Sequence, residues 1–394
     1  MKKGLQTKKL GDVCDFEGGS QPPKSEFIYD EKPGYVRFLQ IRDFGSDKNI
    51  TYIRHSKKNR LCDENDILIG RYGASVGKIL TGKAGSYNVA LMKTLPNLEV
   101  LDQSWFYHFL ISDEFQKPLL NVADRSAQAG FSKDDIYNFP VPLPPLPEQQ
   151  RIVGLLDEAF EGLATAKASA EKNLQNARAL FESHLQSVFT QRGPGWVEKT
   201  LEDIADADCS LSYGIVQPGD EFDEGMPIVR PTDLTTKIIR LGGLKRIDPK
   251  LAGGYKRTAL QGGELLLCVR GSTGVVSIAS PELVGANVTR GIVPIRFNRS
   301  LLLPEFGFYL ISGGPVQSQI REKTYGTALM QINIRDLRVI TFSVPPLQEQ
   351  KRLAANLDDL HEETQRLARL YERKLAALEA LKKSLLHQAF TGEL

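Results

Sequence analysis

The chain is written twice. Pro144-Pro145-Leu146-Pro147-Glu148-Gln149-Gln150-Arg151 returns as Pro345-Pro346-Leu347-Gln348-Glu349-Gln350-Lys351-Arg352, an offset of 201 residues. The same offset relates Asp135-Ile136 to Asp336-Leu337 upstream and Phe189-Thr190 to Phe390-Thr391 downstream. Earlier echoes drift. Leu110-Ile111-Ser112 recurs as Leu310-Ile311-Ser312, Asn88-Val89 as Asn287-Val288, and Asp66-Ile67-Leu68-Ile69 as Glu264-Leu265-Leu266-Leu267. Drifting offsets mean small insertions, whereas a fixed one marks a segment whose length is constrained. A tandem duplication therefore predicts two like halves, each followed by the same kind of connector.

The connector reads as a helix. Between Glu148 and Phe189 there is no proline, and apolar or small residues recur at Ile152, Leu156, Ala159, Leu163, Ala166, Ala170, Ala177 and Leu180. The copy offers Leu353, Leu357, Leu360, Leu367, Tyr371, Leu378, Leu381 and Leu385, with Thr364 as a polar interruption. Spacing by threes and fours sustained this long signals a coiled coil. The prolines before each run stop it extending backward, and Arg192-Gly193-Pro194-Gly195 and Gly392 follow the two ends. Some 42 helical residues would reach about 63 Å, longer than a domain of this size is wide. Two such helices with matching seams pack most economically on each other. If a two-fold axis relates the halves, they run antiparallel and bring Leu394 near Met1.

The expected architecture is α+β: two mixed α/β domains at 1–146 and 191–345, separated by long helices at 147–190 and 346–394 that form an antiparallel coiled coil with internal pseudo-two-fold symmetry. Strand-like runs at Tyr35–Ile41, Ile67–Ile69 and Glu264–Val269 alternate with glycine-rich turns. One helix per half is expected, at Ser104–Ser112 and Pro304–Ser312. Composition is that of an ordinary globular protein, 41% hydrophobic and 25% charged, with a net charge of +2; no global basic field declares a nucleic-acid partner, so placement of charge has to decide. Cys14, Cys62, Cys209 and Cys268 lie too far apart for a C-x-x-C zinc or redox motif, which fits a reducing cytoplasm. No signal-like or membrane-spanning run is apparent.

Catalytic motifs fail on inspection. Gly73-Ala74-Ser75-Val76-Gly77-Lys78-Ile79 resembles a P-loop but has three residues between its glycines, and Ile79 stands where a Mg²⁺-binding hydroxyl belongs. Asp157-Glu158-Ala159-Phe160 looks like a helicase box inside the long helix, where a solvated face explains it better. None of the three Pro-Pro pairs carries the flanking residues of an adenine-methylating site. With five histidines, general bases are scarce. The expectation is a non-enzyme with no metal site.

Binding is what remains. Glycines let backbone amides approach a phosphate, and cations or hydroxyls beside them add contacts. That logic selects Arg71, Tyr72, Ser75 and Lys78 in the first half, and Arg270, Ser272 and Thr273 in the second. Loop cations add Lys24, Arg42, Arg125 and Lys133, and Arg230, Arg290, Arg296 and Arg335. Gln128, Ser132, Gln331 and Asn333 sit in polar loops before each proline hinge; amides can read adenine edges, and the same residues can cap turns.

At this point the chain resembles the specificity subunit of type I restriction–modification enzymes. The doubled Pro-Pro-Leu-x-Glu-Gln-x-Arg, each copy after a variable domain and before a long helix, carries the likeness over the whole chain. The closing Leu386-His387-Gln388-Ala389-Phe390-Thr391-Gly392-Glu393-Leu394 adds to it. The resemblance implies two target recognition domains reading an interrupted, asymmetric sequence in double-stranded DNA. It implies two methyltransferase subunits docked on the helices, using S-adenosylmethionine to methylate adenine N6, and motor-nuclease subunits that use ATP and Mg²⁺. No cofactor would then reside in this chain, and Ile152, Leu156, Leu163, Leu353, Leu357, Leu360, Leu367 and Leu378 would form the spacer seam. A self-sufficient methyltransferase and a purely structural adaptor are the competing readings.

Overall fold

The computed structural model describes residues 6–124, 130–209, 211–327 and 329–394. The chain divides into two compact units, one of Met1–Glu171 with Glu372–Leu394, the other of Lys172–Tyr371. Both boundaries fall inside the long helices Leu146–Thr190 and Leu347–Thr391. Each helix has 45 residues, about 67 Å of rise, and each supplies one segment to each unit. Gly392, at a φ of 78°, ends the second helix by letting Glu393 donate its N–H to the Gln388 carbonyl, the left-handed stop that favours glycine.

In the first unit, Cys14–Gly18, Leu91–Pro96, Leu68–Gly70 and Ile79–Leu80 form an antiparallel sheet in that order. A second sheet runs Tyr52–Arg54, Tyr35–Leu39, Gly85–Tyr87, Leu61–Cys62, with one parallel pairing between Tyr35–Leu39 and Gly85–Tyr87. Thr7–Lys9 pairs with Pro140–Pro142, the strand that leads into the first long helix. The core gathers Trp105, Phe106, Phe109 and Phe115 with Ile152 and Leu156 of the first long helix and Leu386, Ala389 and Phe390 of the second. Phe390 lies edge-on to Trp105 and Phe109, with ring centroids 5.1 and 5.6 Å away. Arg151 donates to the Leu394 carbonyl, Lys382 sits over Phe160, and Lys167 pairs with Glu379. Rising numbers on one helix meet falling numbers on the other, so the segments run antiparallel. Met1 lies outside the described residues.

The second unit repeats this plan. Ile238–Ile239, Val276–Ala279, Leu265–Cys268 and Ile292–Ile295 form one sheet, and Lys245–Ile247, Met226–Val229 and Asn287–Val288 another. Val197–Thr200 pairs with Thr341–Val344 before the second long helix. Here Leu185 and Phe189 of the first helix and Ala354 and Leu357 of the second join the core around Phe306 and Leu310. Phe181 packs against His361 with centroids 4.6 Å apart, again an antiparallel match.

The duplicated motif has a structural job. Gln149 is fully buried; its amide donates to the carbonyls of Val100 and Pro144, each at 2.8 Å, and its oxygen accepts the Asp102 N–H at 2.8 Å. Gln350 does the same with Leu301, Pro345 and Leu303. Each glutamine ties the proline hinge to the residues that start the domain's first long-enough helix, Gln103–Ile111 or Pro304–Ser312. Further along the helix, Asp157 Oδ1 lies 3.0 Å from His108 Nε2, and Asp358 holds Lys237 and Tyr309. Asp157 stays 60% exposed, as expected of a solvated face, while contacting His108; Phe160, expected on the same face, instead packs against the core. Burial holds the His108 imidazole below its ordinary pKa, with the Asp157 contact acting in the opposite sense.

Three differences from the sequence-based expectation follow from these contacts. Gln116 donates to the carbonyls of Gly77 and Leu110, and Gln317 to those of Gly274 and Ile311. Leu110 is thus equivalent to Ile311, not Leu310. Likewise Ser20 bridges Asn88 where Ile215 bridges Thr289, so Asn88 matches Thr289 rather than Asn287. The fixed offset of 201 therefore begins before the helices, near Tyr87 and Val288, and the drift is confined to the sheets upstream. Second, each half has two consecutive helices; Asp113–Ala123 and Gly314–Lys323 follow the expected ones, hidden in the sequence by Pro118 and Pro315. Third, Leu180 and Leu381 are 52% and 48% exposed. Toward the helix ends the inward face shifts to Phe181, Leu185 and Phe189, and to Leu386, Ala389 and Phe390, because there the helix packs on a domain rather than continuing a heptad seam.

Replacing Gln149 by Ala strands one buried N–H and two carbonyls, a loss of about 2–4 kcal/mol. Hydrogen exchange should show Gln103–Ile111 losing protection in Gln149→Ala while Pro304–Ser312 is unaffected, and the reverse in Gln350→Ala. Equal effects on both helices would contradict the local-clamp assignment.

Candidate nucleic-acid interface

Each unit builds a glycine turn against a loop distant in sequence. In the first, Tyr72 bridges Gly130, and Arg71 donates through Nε to the Phe131 carbonyl at 3.3 Å. The Arg71 guanidinium stacks over the Tyr72 ring at 5.0 Å, and a Cβ at Gly18 would lie 3.2 Å from its Nη1. Gly73 and Gly77 take φ of 59° and 79°, conformations that glycine alone adopts cheaply. Gln116 grips the Gly77 carbonyl at 2.9 Å and so fixes the turn to the helical layer. In the second unit Arg270 bridges Gln331, Gly271 donates to the Met330 carbonyl, and Gly271 and Gly274 take φ of 83° and 92°. Gln317 holds the Gly274 carbonyl as Gln116 holds that of Gly77.

These contacts collect several of the residues selected from sequence. Arg71, Tyr72, Ser75 and Lys78 share one turn, with Ser132 and Lys133 carried by the facing loop. Arg270, Ser272 and Thr273 share the other, facing Gln331 and Asn333. Tyr72 and Arg270 occupy equivalent positions, since both form the bridge to the facing loop. The frame is shared, and the side chains it presents differ.

The remaining residues separate by what occupies them. Ser132 caps a helical turn, its N–H and Oγ both bonded to Asp135 at 2.7 Å. The Lys133 ammonium is raised in pKa by its contact with the Tyr137 hydroxyl and by nearby Asp15. Asn333 accepts from the Tyr325 hydroxyl at 2.6 Å. Arg230 is held by Asp233 through Nε at 3.1 Å and Nη2 at 2.9 Å, and Arg296 lies between Asp208 and Glu264. Arg42 is exposed beside buried Asp43 at 3.7 Å. Lys24 is exposed on the short helical turn Lys24–Glu26, Arg290 follows the Ile215–Thr289 bridge, and Arg335 is exposed on Ile334–Arg338. Arg125 and Gln128 lie outside the described residues. On the helices, Ile152, Leu156 and Leu357 are buried, while Leu163, Leu353, Leu360, Leu367 and Leu378 are half-buried.

The duplicated plan has counterparts among known proteins. The model of the type I restriction modification DNA specificity domain matches twice, over residues 2–173 and 194–373. The chain belongs to the type I restriction–modification DNA specificity family. The EcoBI specificity subunit of Escherichia coli is 23% identical over 98% of this chain and 85% of its own length. The MjaVIII specificity subunit of Methanocaldococcus jannaschii is 22% identical, over 98% and 92%. A solved chain from work on complex assembly and conformational transition of the type I R-M system shares the fold, with a TM-score of 0.79, 20% identity and coverage of 100% and 99%. The HsdS subunit from Thermoanaerobacter tengcongensis gives 0.62 at 21% identity, covering 100% and 98%.

In a specificity subunit of this kind the cations differ in how free they are. Among the described residues, Arg71 and Arg270 have no carboxylate partner, and the Arg270 Nε is buried without a hydrogen bond. Arg230 has a carboxylate three residues on, at Asp233, whereas Arg71 and Arg270 have none within four residues in sequence. Sequence reasoning also missed a basic run, Arg54-His55-Ser56-Lys57-Lys58-Asn59-Arg60, although four cations in seven residues is a signal that counting alone would have found. Arg71→Ala and Arg270→Ala should each weaken duplex DNA binding by the assembled subunit about tenfold, or ~1–2 kcal/mol. Arg230→Ala should leave affinity unchanged and instead loosen the Pro231–Asp233 turn. Titration of a labelled duplex checks this, and equal losses in all three variants would remove the distinction.

Proposed function

We propose that this chain is the non-catalytic addressing subunit of a cytoplasmic type I restriction–modification complex. Its two recognition domains read two unlike half-sites of an interrupted, asymmetric sequence in double-stranded DNA. Phosphate contacts set register, and side chains on the turns read base edges. The observation that carries this reading is the duplicated frame with different contents, Arg71–Tyr72 in one unit and Arg270–Gln331 in the other. Linking two short readings makes the second engagement intramolecular, so two weak contacts give one specific one.

Two methyltransferase subunits dock along the long helices and supply S-adenosylmethionine chemistry on adenine N6; motor-nuclease subunits bring ATP and Mg²⁺. The repeat supports a pair of like partners. Leu180 and Leu381 stand 201 residues apart, in equivalent places, and both are about half exposed, so each helix offers the same apolar contact. Among the described residues no helix is long and apolar enough to cross a membrane.

In this reading the helices set the gap between half-sites. Inserting one helical turn of four residues into both, about 6 Å, should lengthen the unread gap by roughly two base pairs, given about 3.4 Å per step. Genome-wide mapping of methylated adenines reports the gap directly. An unchanged gap in a methylating variant would contradict the spacing role, and methylation independent of this chain would contradict the addressing role.

A further inference from the structure

The basic run Arg54–Arg60 borders a groove that the glycine turns do not explain. The groove has a volume of about 880 Å³ and lies between Ser20–Pro23, Tyr35 and Arg54–Asn59, with Glu26 as its one acidic neighbour. Arg60 is occupied by Glu17 at 2.6 Å. Arg54, Lys57 and Lys58 are exposed and have no carboxylate partner among the described residues. Their turn is held in shape by its own backbone: His55 donates to the Gly34 carbonyl at 2.8 Å, Asn59 donates to that of Ser56 at 3.1 Å, and the Asn59 side chain accepts the Ser56 N–H. Three cations are thus displayed on a preformed turn, at the end of a strand whose Tyr52–Arg54 pairs with Tyr35–Arg37.

The second unit arranges its charges differently here. Val36 opposite Ile53 corresponds to Met226 opposite Ile247, so Asp248 stands in the place of Arg54, and its carboxylate accepts the Lys250 N–H at 2.9 Å. The second unit places its exposed cations later, at Lys250, Lys256 and Arg257, so the run at Arg54–Arg60 is not fixed by the shared fold. Its position indicates the ligand. Gly18 lies against the Arg71 guanidinium, and Pro22 lines the groove four residues later, at most about 14 Å away. Duplex DNA carries one charge per about 1.7 Å of axis, so a duplex seated beside the Arg71 turn has phosphates within reach of this groove.

We infer that Arg54, Lys57 and Lys58 form a sugar-phosphate clamp that grips the duplex next to the bases read from the Arg71 turn. The inference rests on the DNA-reading function proposed above. Because phosphates carry no sequence information, the clamp adds affinity and register without choosing bases.

The test is a double variant, Lys57→Ala with Lys58→Ala, in the full chain assembled with its methyltransferase. Binding is measured on a target duplex and a scrambled duplex across a salt series. The slope of log affinity against log salt should fall by about 1.8, near 0.9 for each phosphate no longer neutralised. Affinity should drop by the same factor on both duplexes, on the order of tenfold per lysine at 0.1 M salt. Lys57→Arg with Lys58→Arg should keep the wild-type slope. An unchanged slope overturns the clamp, as does a loss confined to the target duplex or a loss of methyltransferase capture at constant slope. If the wild-type assembly does not prefer its target duplex, the DNA-reading function itself fails, and the clamp with it.

Discussion

Neither recognition domain closes its own core. Phe390 packs its ring against Trp105 and Phe109, although it belongs to a helix that begins at Leu347 beside the other domain. Phe189 packs in the same way on Phe306, at the far end of the helix that starts from the first domain. Each buried phenyl contributes a few kcal/mol, a large share of a domain's net stability. Domain folding and helix pairing are therefore one event, and the geometry of the helices is written into the cores they complete.

This coupling explains why the offset of 201 is so strict. On each long helix the buried glutamine, the aspartate further along and the terminal phenylalanine must all meet fixed partners. One inserted residue turns everything beyond it by about 100° and would pull Phe390 or Phe189 out of its core. No such restraint acts on the upstream sheets, where a longer loop costs little. The offset changes there, from 197 at Gly77 and Gly274 to 201 at Tyr87 and Val288.

Much of the architecture was legible because it is periodic or repeated. The duplicated proline motif, the helix spacing and the strand runs at Leu68–Gly70 and Leu265–Cys268 needed no tertiary information. What escaped depends on contacts between distant segments. The role of Gln149 is invisible without Val100 and Asp102, and nothing in the sequence places His108 beside the exposed Asp157. The candidate interface was half legible. Glycine turns announce themselves, but which arginine is already held by a carboxylate depends on side-chain geometry. Arg230 differs from Arg71 in having Asp233 three residues on, and the fold shows that this pair closes.

The dependence of one domain on the other domain's helix is tested most directly by a chain that ends at Tyr371, compared with the full chain by hydrogen exchange. Without Glu372–Leu394, the amides of Gln103–Ile111 and Asp113–Ala123 should exchange far faster, while those of Pro304–Ser312 and Gly314–Lys323 keep their protection. Full protection of the first pair in the shortened chain would show that the domain closes its own core, and would contradict that dependence.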